Sequence, residues 1–423
     1  MSSETVSPTV TSPRRVIVAA SIGNALEWFD ILVYGFFAAT IAKVFFPNDD
    51  ATVSLLLALG TFAVSYLVRP IGGLVLGAYA DRVGRKTALM LSIRLMMLAT
   101  AIIAIMPSFA QVGLVAPIAV LLARLIQGFS AGGEFGSATA FLVEHAPERR
   151  GFMASWQFAS QGFATLLASL FGTVLTSTLT DAQLESWGWR IPFLFGLLIG
   201  PIGYYIRRYI DEAAEFVENT DGDSAPVRDT FANHKGSMLV AVGALAVSTA
   251  ISYLITYIPT FAVTQLHLPA STGFASTLVT GIVLTFLTPV VGHLSDRFGR
   301  TRIMLAFGVA ILALVYPSFA FLVAYPSFAV ILGVMFLVGV LKAGYFAPLP
   351  AMMADLFPIT SRATGMAVSY NVGVMLFGGT TPIVIVLLVN ATGNKLALTF
   401  YLMFLAVLSL ASVLVARRKL GVS

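Results

Sequence analysis

The sequence of 423 residues contains no cysteine, and only 11% of its residues are charged. Without cysteine the chain forms no disulfide, offers no thiol nucleophile and has no cysteine metal ligand. Its four histidines do not occur at the spacing of metal ligands. Phosphate-binding Gly-Lys loops and nucleophile elbows are also missing, so ATP hydrolysis and soluble-type catalysis lack their motifs. We therefore expect no enzyme, no metal site and no bound cofactor.

Apolar residues make up 58% of the chain, which is more than a soluble domain covers with polar surface. Windows of roughly 20 apolar residues predict an all-α membrane protein with twelve transmembrane helices in two pseudo-symmetric six-helix bundles. The predicted spans are residues 16–44, 53–80, 87–107, 114–143, 152–178, 189–208, 238–263, 271–293, 303–324, 327–354, 363–389 and 396–416. The lipid bilayer is therefore the expected environment of most of the chain.

The distribution of Lys and Arg predicts the orientation of these spans. Eighteen of them lie in the termini and the even-numbered connections, whereas three, Lys43, Arg190 and Lys395, lie in the odd-numbered ones. Short cytoplasmic loops carry the excess of basic residues, so both termini are expected in the cytoplasm. The net charge of +5 is thus spread over one membrane face, which argues against a nucleic-acid partner.

Two copies of one loop signature indicate an internal duplication. They are Gly73-x3-Gly77-x3-Asp81-Arg82-x-Gly84-Arg85-Lys86 and Gly292-x3-Asp296-Arg297-x-Gly299-Arg300. The two aspartates are 215 positions apart, close to half of the chain. The predicted organisation is a tail at 1–15, a first bundle at 16–208, a linker at 209–237, a second bundle at 238–416 and a tail at 417–423. Duplications of this kind usually place a binding site between the halves near the bilayer midplane.

The signature after span two and the sequence Arg124-x2-Gln127-Gly128 in span four resemble those of the major facilitator superfamily. Four further segments resemble its metabolite:proton symporter branch, namely 23–30, 69–73, 127–134 and 187–193. The resemblance implies import into bacteria across the inner membrane, with protons as the coupling ion. That branch carries citrate and other tricarboxylates, dicarboxylates such as α-ketoglutarate, shikimate, and proline or betaine. The sequence Phe377-Gly378-Gly379-x2-Pro382 most resembles its organic-acid members.

Seven ionisable residues fall within the predicted spans: Glu27, Asp30, Arg69, Arg94, Arg124, Glu134 and Lys342. Each costs about 2.5 kcal/mol or more in the bilayer centre, so each needs a partner or a function. Glu27 and Arg69 lie at similar depth, counted from the cytoplasmic ends of their spans at 1.5 Å per residue. They are expected to pair, either as a static salt bridge or as a site where the acid exchanges Arg for a proton.

Asp30 lies one helical turn beyond Glu27 and has no basic neighbour in the sequence, which favours it as the proton carrier over a structural polar residue at the cavity rim. Glu134, after Gly132 and Gly133, is a second candidate for proton coupling. Its alternative role is to neutralise Arg124 or Arg94.

Lys342 is the mid-span cation of the second half, and a cation between the halves favours an anionic ligand. Its alternative role is a gate pair with an acid of the first half. The further candidates for substrate binding are Arg69, Arg124, Asn24, Tyr34, Gln157, Gln161, Tyr253, Tyr257, Tyr345 and Asn371. Polar side chains in lipid often bond neighbouring helices instead, which is the competing interpretation for Gln157, Gln161, Tyr253, Tyr257 and Asn371. The competing interpretation of Arg124 is a structural role, because its long side chain is able to snorkel to water.

The signature residues form the predicted conformational latch. Small residues at four-residue spacing, Gly73 and Gly77, allow close packing of helices. Asp81 is then able to face the positive amino terminus of the span that begins near Ala363. By resemblance the latch comprises Gly73, Gly77, Asp81, Arg82, Gly84 and Arg85 in the first half and Asp296, Arg297 and Arg300 in the second. In the second copy Thr288 replaces the first glycine, so the sequence does not determine whether the helices pack tightly there.

The predicted function is proton-coupled symport of a small organic anion, a di- or tricarboxylate, by a monomer whose two halves rock. A competing prediction is symport of a zwitterion such as proline or betaine, although osmosensing members carry a long coiled-coil tail and only Leu420 to Ser423 follow Lys419. A nutrient sensor that transports nothing and an uncoupled facilitator are also compatible with these motifs.

Overall fold

The computed structural model describes residues 13–83, 85–132, 135, 136, 139, 142, 143, 147–208, 233–359 and 361–422. Within these ranges the side chains of residues 13–20, 23, 77, 78, 80–82, 85, 86, 89, 147, 199 and 202–208 are outside the description. Nearly all of the described chain is helical. The α-helices of seven residues or more are α1 (Pro13–Phe36), α2 (Ala38–Phe45), α3 (Ala51–Val83), α4 (Arg85–Ile105), α5 (Val115–Ala131), α6 (Arg150–Thr178), α7 (Arg190–Arg208), α8 (Lys235–Thr264), α9 (Ala270–Phe298), α10 (Arg300–Ala324), α11 (Phe328–Phe346), α12 (Leu349–Asp355), α13 (Arg362–Phe377), α14 (Thr381–Thr392) and α15 (Ala397–Lys419).

Eleven of the twelve predicted spans coincide with one of these helices or with two consecutive ones. Span four, predicted at 114–143, is described as helix α5 over Val115–Ala131, and much of the remainder lies outside the described residues. By length and apolar composition, eight helices of the described chain qualify as membrane spans, or nine if the bent pair in span one is counted. That pair, α1 and α2, bends by 65° at Phe37. The remaining predicted spans correspond to α4 and α5, which contain shorter apolar stretches, and to α7.

Glycine marks the turn between α9 and α10. Gly299 has φ of 91°, a backbone conformation that residues with a Cβ rarely adopt. The chain therefore reverses in a single residue between Phe298 and Arg300. This requirement explains why the second signature carries a glycine at this position.

The two halves meet along α6 and α9, which pack against each other over their whole length. Glycines permit the close approach: a Cβ on Gly162 would lie 2.7 Å from Leu284, and one on Gly281 would lie 2.6 Å from the backbone nitrogen of Leu166. A Cβ on Gly172 would lie 2.0 Å from the Phe274 ring. A second seam is formed by α3 and α13.

Large apolar side chains on the outer surface of the bundles are exposed, as expected for a surface that faces lipid. The side chain of Arg94 on α4 is exposed as well. The prediction that Arg94 is one of the buried charges is therefore wrong. Position in a span determines depth, but the face that a residue occupies depends on how the helix packs. The predicted linker at 209–237 lies mostly outside the described residues.

Candidate substrate and proton-coupling site

Arg69 occupies the seam between α3 and the second half, where it is 2% exposed. Its Nη2 atom lies 3.4 Å from Glu27 Oε1 of α1 and donates to the carbonyl oxygen of Ala131 at 3.1 Å. The rings of Trp28 and Tyr66 lie 5.7 and 5.8 Å from its Cζ atom. The pair of Glu27 and Arg69 expected from their equal depth is thus present. Its part in proton coupling stays a prediction.

Asn371 connects this cluster to the second half. Because α5 ends at Ala131, the carbonyl of Gly132 is available to a partner outside the helix, and Asn371 Nδ2 of α13 donates to it at 2.7 Å. Arg69 Nε donates to Asn371 Oδ1 at 3.4 Å. A Cβ on Gly132 would lie 2.1 Å from the Arg69 carbonyl oxygen, so glycine is required for this approach. Asn371 therefore bonds both to a first-half cation and to the end of α5.

Arg124 of α5 is fully buried inside the first half. Its Nη1 donates to Gln127 Oε1 at 2.6 Å, and its Nη2 donates to Ser65 Oγ at 3.2 Å. The guanidinium carbon lies 4.5 Å from the Tyr34 ring centroid and 5.0 Å from that of Phe62. Its positive charge is thus held by aromatic faces and neutral oxygens, with no carboxylate in direct contact among the described residues.

Asp30 of α1 lies at the end of a chain of hydrogen bonds from Arg124. Its Oδ2 accepts from Thr100 Oγ1 of α4 at 3.0 Å, and Thr100 Oγ1 accepts from Gln127 Nε2 at 3.0 Å. Asp30 Oδ1 is buried and has no hydrogen-bond partner among the described residues. A Cβ on Gly196 of α7 would lie 2.2 Å from it, so this carboxyl fits only against glycine.

Sequence reasoning did not assign Thr100 to the site. A lone threonine in an apolar helix gives no signal, because its hydroxyl usually bonds the backbone of its own helix. Gln127 occurs in the segment quoted for the family resemblance, but its two contacts were not foreseen. Thr100 and Gln127 meet only because α4 packs against α5.

Lys342 of α11 is 4% exposed, and its Nζ lies 5.0 Å from the Phe346 ring centroid. Phe346 stacks on Phe158 of α6, so this cation lies next to the contact between the halves. Among the described residues Lys342 Nζ has no hydrogen-bond or ion-pair partner. A buried ammonium without a counter-charge is costly, and the role of Lys342 in anion binding stays a prediction.

Of the other residues predicted to bind substrate, some have their partners within one half and some have them across the interface between the halves. Asn24 and Gln157 bond each other within the first half: Asn24 Nδ2 donates to the Gln157 carbonyl at 2.8 Å, and Gln157 Nε2 donates to Asn24 Oδ1 at 3.0 Å. Gln161 Nε2 reaches across to the Tyr370 hydroxyl at 3.4 Å. The Tyr370 ring stacks on Phe135 of the first half.

The predicted tyrosines occupy different surroundings. The Tyr253 ring contacts Tyr66 of the first half, with centroids 5.2 Å apart. Tyr34 donates to the Ala58 carbonyl at 3.3 Å and Tyr345 to the Ala244 carbonyl at 2.9 Å, each within its own half. Tyr257 is buried in α8. The roles of all these residues in substrate binding stay predictions.

At the face predicted to be cytoplasmic, Asp296 joins the halves. Its carboxylate accepts from the backbone N–H groups of Gly151 at 2.7 Å and Phe152 at 2.9 Å, at the amino terminus of α6. This is the charge arrangement that a helix dipole favours. A Cβ on Gly292 would lie 2.7 Å from the Gly151 carbonyl oxygen, so the second copy packs tightly despite Thr288.

A second carboxylate strengthens the same contact. Asp355 lies 3.2 Å from Arg150 of the first half and also pairs with Arg300, which in turn lies 3.6 Å from Asp296. Arg297 is exposed. In the first copy, Gly73 approaches the Gly132 carbonyl closely. The contacts of Gly77, the side chains of Asp81, Arg82 and Arg85, and the whole of Gly84 are outside the description. Glu134 is outside it as well.

Two bundles that enclose buried charges at their seam, within a multi-pass helical chain, define a membrane transporter. The family model described as "Sugar (and other) transporter" matches residues 16–217, and the one described as "Major Facilitator Superfamily" matches residues 240–421. The citrate-proton symporter of Klebsiella pneumoniae is 36% identical over 96% of this chain and 92% of its own length. The proline/betaine transporter of Escherichia coli strain K12 is 36% identical over 94% of this chain and 82% of its own length.

This chain therefore belongs to the major facilitator superfamily, in the metabolite:proton symporter branch that the sequence predicted. Among solved structures, the xylose transporter XylE from E. coli in a partially occluded inward open conformation has a TM-score of 0.74 at 15% identity, covering 96% of this chain and 97% of that one. The likeness concerns the fold alone, and it confirms the predicted two-bundle architecture.

Proposed function

We propose that this protein is a proton-coupled secondary symporter that imports a small organic anion, a di- or tricarboxylate such as citrate or α-ketoglutarate, by alternating access. The observation that carries the proposal is Lys342, which is 4% exposed, lies beside the contact of Phe346 with Phe158, and has no counter-charge among the described residues. A carboxylate of the substrate would supply that charge through a charge-assisted hydrogen bond.

Two further buried cations, Arg69 and Arg124, support an anionic substrate. Arg69 faces Glu27, but its Nη1 has no hydrogen-bond partner among the described residues. Arg124 is bonded only to neutral oxygens, and its Nε is likewise unpartnered in that part of the chain. Arginine presents paired donors that match a carboxylate, so a ligand with two or three carboxylates has several places to bind.

Asp30 is the proposed proton carrier. A carboxylate beside a guanidinium is already neutralised, as for Glu27, whereas Asp30 accepts from one neutral hydroxyl and leaves Oδ1 free of partners in the described chain. A proton on Oδ1 would remove an uncompensated charge. Each net positive charge that moves inward at 100 mV supplies about 2.3 kcal/mol.

A zwitterion such as proline or betaine is the second candidate, because proline/betaine transporters are as similar to this chain as citrate-proton symporters are. The aromatic cluster of Phe62, Tyr66 and Tyr253 would suit the cationic end of such a ligand through cation–π contacts. Its single carboxylate would engage one cation only.

Binding to the purified protein distinguishes these candidates. Isothermal titration calorimetry at fixed pH should detect citrate or α-ketoglutarate in preference to proline and betaine. Lys342→Gln should weaken anion binding by roughly 10- to 150-fold, the effect of losing one charged hydrogen bond. Lys43→Gln is the matched control, because Lys43 is 65% exposed and pairs with Glu185. Lys43 lies in an odd-numbered connection, on the membrane face predicted to be away from the cytoplasm.

Transport by the protein reconstituted in vesicles tests the coupling. An imposed pH gradient, acidic outside, should drive uptake of radiolabelled citrate above its equilibrium level. Equilibration without accumulation would instead identify an uncoupled facilitator. Tight betaine binding with no effect of Lys342→Gln would favour the zwitterion.

We further propose a monomer in the bacterial inner membrane with both termini in the cytoplasm, as the charge bias predicts.

A further inference from the structure

Four side chains of the first half form a continuous hydrogen-bonded chain. Arg124 donates to Gln127, Gln127 donates to Thr100, and Thr100 donates to Asp30, at 2.6, 3.0 and 3.0 Å. Arg124 and Thr100 are 0% exposed, Gln127 is 1% and Asp30 is 7%. The chain joins α5, α4 and α1, so it exists only when these helices pack as described.

Chemistry fixes the direction of every bond in this chain. A guanidinium has donors only, so Gln127 must present its amide oxygen to Arg124. Its NH2 group then faces Thr100, whose oxygen accepts and whose single proton is left for Asp30. All donors therefore point towards the carboxylate. A change at the Arg124 end alters the number of donors available at the Asp30 end.

We propose that Thr100 and Gln127 are positioning residues that couple Arg124 to Asp30, so that an anion bound at Arg124 and a proton bound at Asp30 favour each other. The proposal rests on the proposed function, in which the substrate is an anion. An anion that takes the Arg124 Nη1 donor leaves the Gln127 amide free to rotate and to present its oxygen to Thr100. The Thr100 proton then turns to Gln127, and Asp30, deprived of its donor, takes up a proton from water.

The charges around Asp30 fit this coupling. Arg124 is the cation that acts on it from α5, and Thr100 and Gly196 are the neutral residues that face it from α4 and α7. On its own helix Glu27 lies one turn away and pairs with Arg69 of α3. Among the described residues, Arg124 is the cation that stabilises a negative charge on Asp30. When an anion binds Arg124, no other described cation takes over that role.

Infrared difference titration of the purified protein reads the protonation of Asp30 directly, as a carboxyl band that Asp30→Asn removes. Thr100→Val removes the donor at nearly constant shape, so the midpoint should move to higher pH by about one to two units, or roughly 10- to 100-fold in proton affinity. Thr100→Ser should restore it. Thr277→Val, a buried threonine bonded to its own helix at the Phe274 carbonyl, should leave it unchanged.

Citrate should move the wild-type midpoint to higher pH, and Gln127→Leu should abolish that movement while Asp30 still titrates. An unchanged midpoint in Thr100→Val, or a full citrate effect in Gln127→Leu, would overturn the relay. Neither result touches the proposed function, which fails instead if vesicles of the wild type show no uptake of citrate driven by protons. Gln127→Leu keeps the test decisive if Thr100→Val does not fold.

Discussion

Glu27 and Asp30 occupy neighbouring turns of α1, yet their surroundings differ in charge. The guanidinium of Arg69 lies 3.4 Å from Glu27, whereas the donor to Asp30 is the neutral hydroxyl of Thr100. A buried carboxylate beside a cation keeps its charge at little cost, and one without a cation does not. At the residue scale this difference is the reason for proposing Asp30 ahead of Glu27 as the proton carrier.

Asp30→Asn is expected to retain exchange of citrate across vesicles and to lose uphill uptake driven by protons. The amide accepts from Thr100 as the carboxylate does, but it does not titrate. Counterflow and gradient-driven uptake in the same vesicles measure the two properties. Glu185→Gln, at the 36% exposed partner of Lys43, is the matched control. If Asp30→Asn still accumulates citrate, the proton is carried elsewhere, and Glu134 is tested next.

Residue-level prediction succeeded where a single geometric constant sufficed. Glu27 and Arg69 were matched by depth, because helix rise is the same in every span. Arg94 was predicted among the buried charges but is exposed, because depth does not say which face of α4 packs against its neighbours. Thr100 was missed, because its partner Gln127 lies on another helix and no local pattern announces the contact. What sequence does not supply is the rotation of each helix about its axis.

Helix packing in the first half depends on backbones that approach without intervening side chains. A Cβ on Gly128 of α5 would lie 1.8 Å from the Ser65 carbonyl oxygen of α3, and one on Gly72 would lie 1.9 Å from the Phe129 carbonyl oxygen. These contacts bring Arg124 to Ser65. Small residues at helix crossings serve this purpose in membranes.

Gly128→Ala should therefore lower stability by about 1–3 kcal/mol or more, because two backbones must separate. Gly333→Ala in α11 is the matched control, since nothing lies within 4 Å of a Cβ there. That variant should be neutral or slightly stabilising because alanine favours helix. Thermal unfolding of both proteins in the same detergent compares them. Equal melting temperatures would mean that α3 and α5 tolerate a wider crossing.

At the scale of the whole molecule, the halves are held together at the predicted cytoplasmic face by Asp296 and Asp355. Asp296→Ala removes the acceptor for two N–H groups at the start of α6, so the form closed at this face should become less populated. Because the chain lacks cysteine, single cysteines report accessibility without background. Ser155→Cys, buried beside Gly292, should react faster with maleimide in the Asp296→Ala protein.

Thr256→Cys is the control at a different contact between the halves, where Thr256 of α8 packs on Gly35 of α1, far along both helices from the predicted cytoplasmic ends. Its reactivity should fall or stay constant as that of Ser155→Cys rises, because rocking opens one face at a time. A parallel rise at both positions would indicate loosening of the fold instead of a shift between two states.

The orientation of the molecule is testable separately. An accessible tag after Ser423 should be shielded from a membrane-impermeant reagent in intact cells and should react after lysis, because the bias of basic residues keeps that end in the cytoplasm. Labelling in intact cells would contradict the predicted orientation.

The bond from Asn371 to the Gly132 carbonyl has an acceptor that belongs to the backbone. Every residue at position 132 supplies the same carbonyl, so only the donor side of this hydrogen bond is encoded by a side chain. In a selection for variants with altered transport, changes that sever it map to codon 371 on α13. On the α5 side, a change at codon 132 acts instead by displacing the helix, because the glycine has no room for a Cβ. Each half thus contributes a different class of allele to one and the same contact.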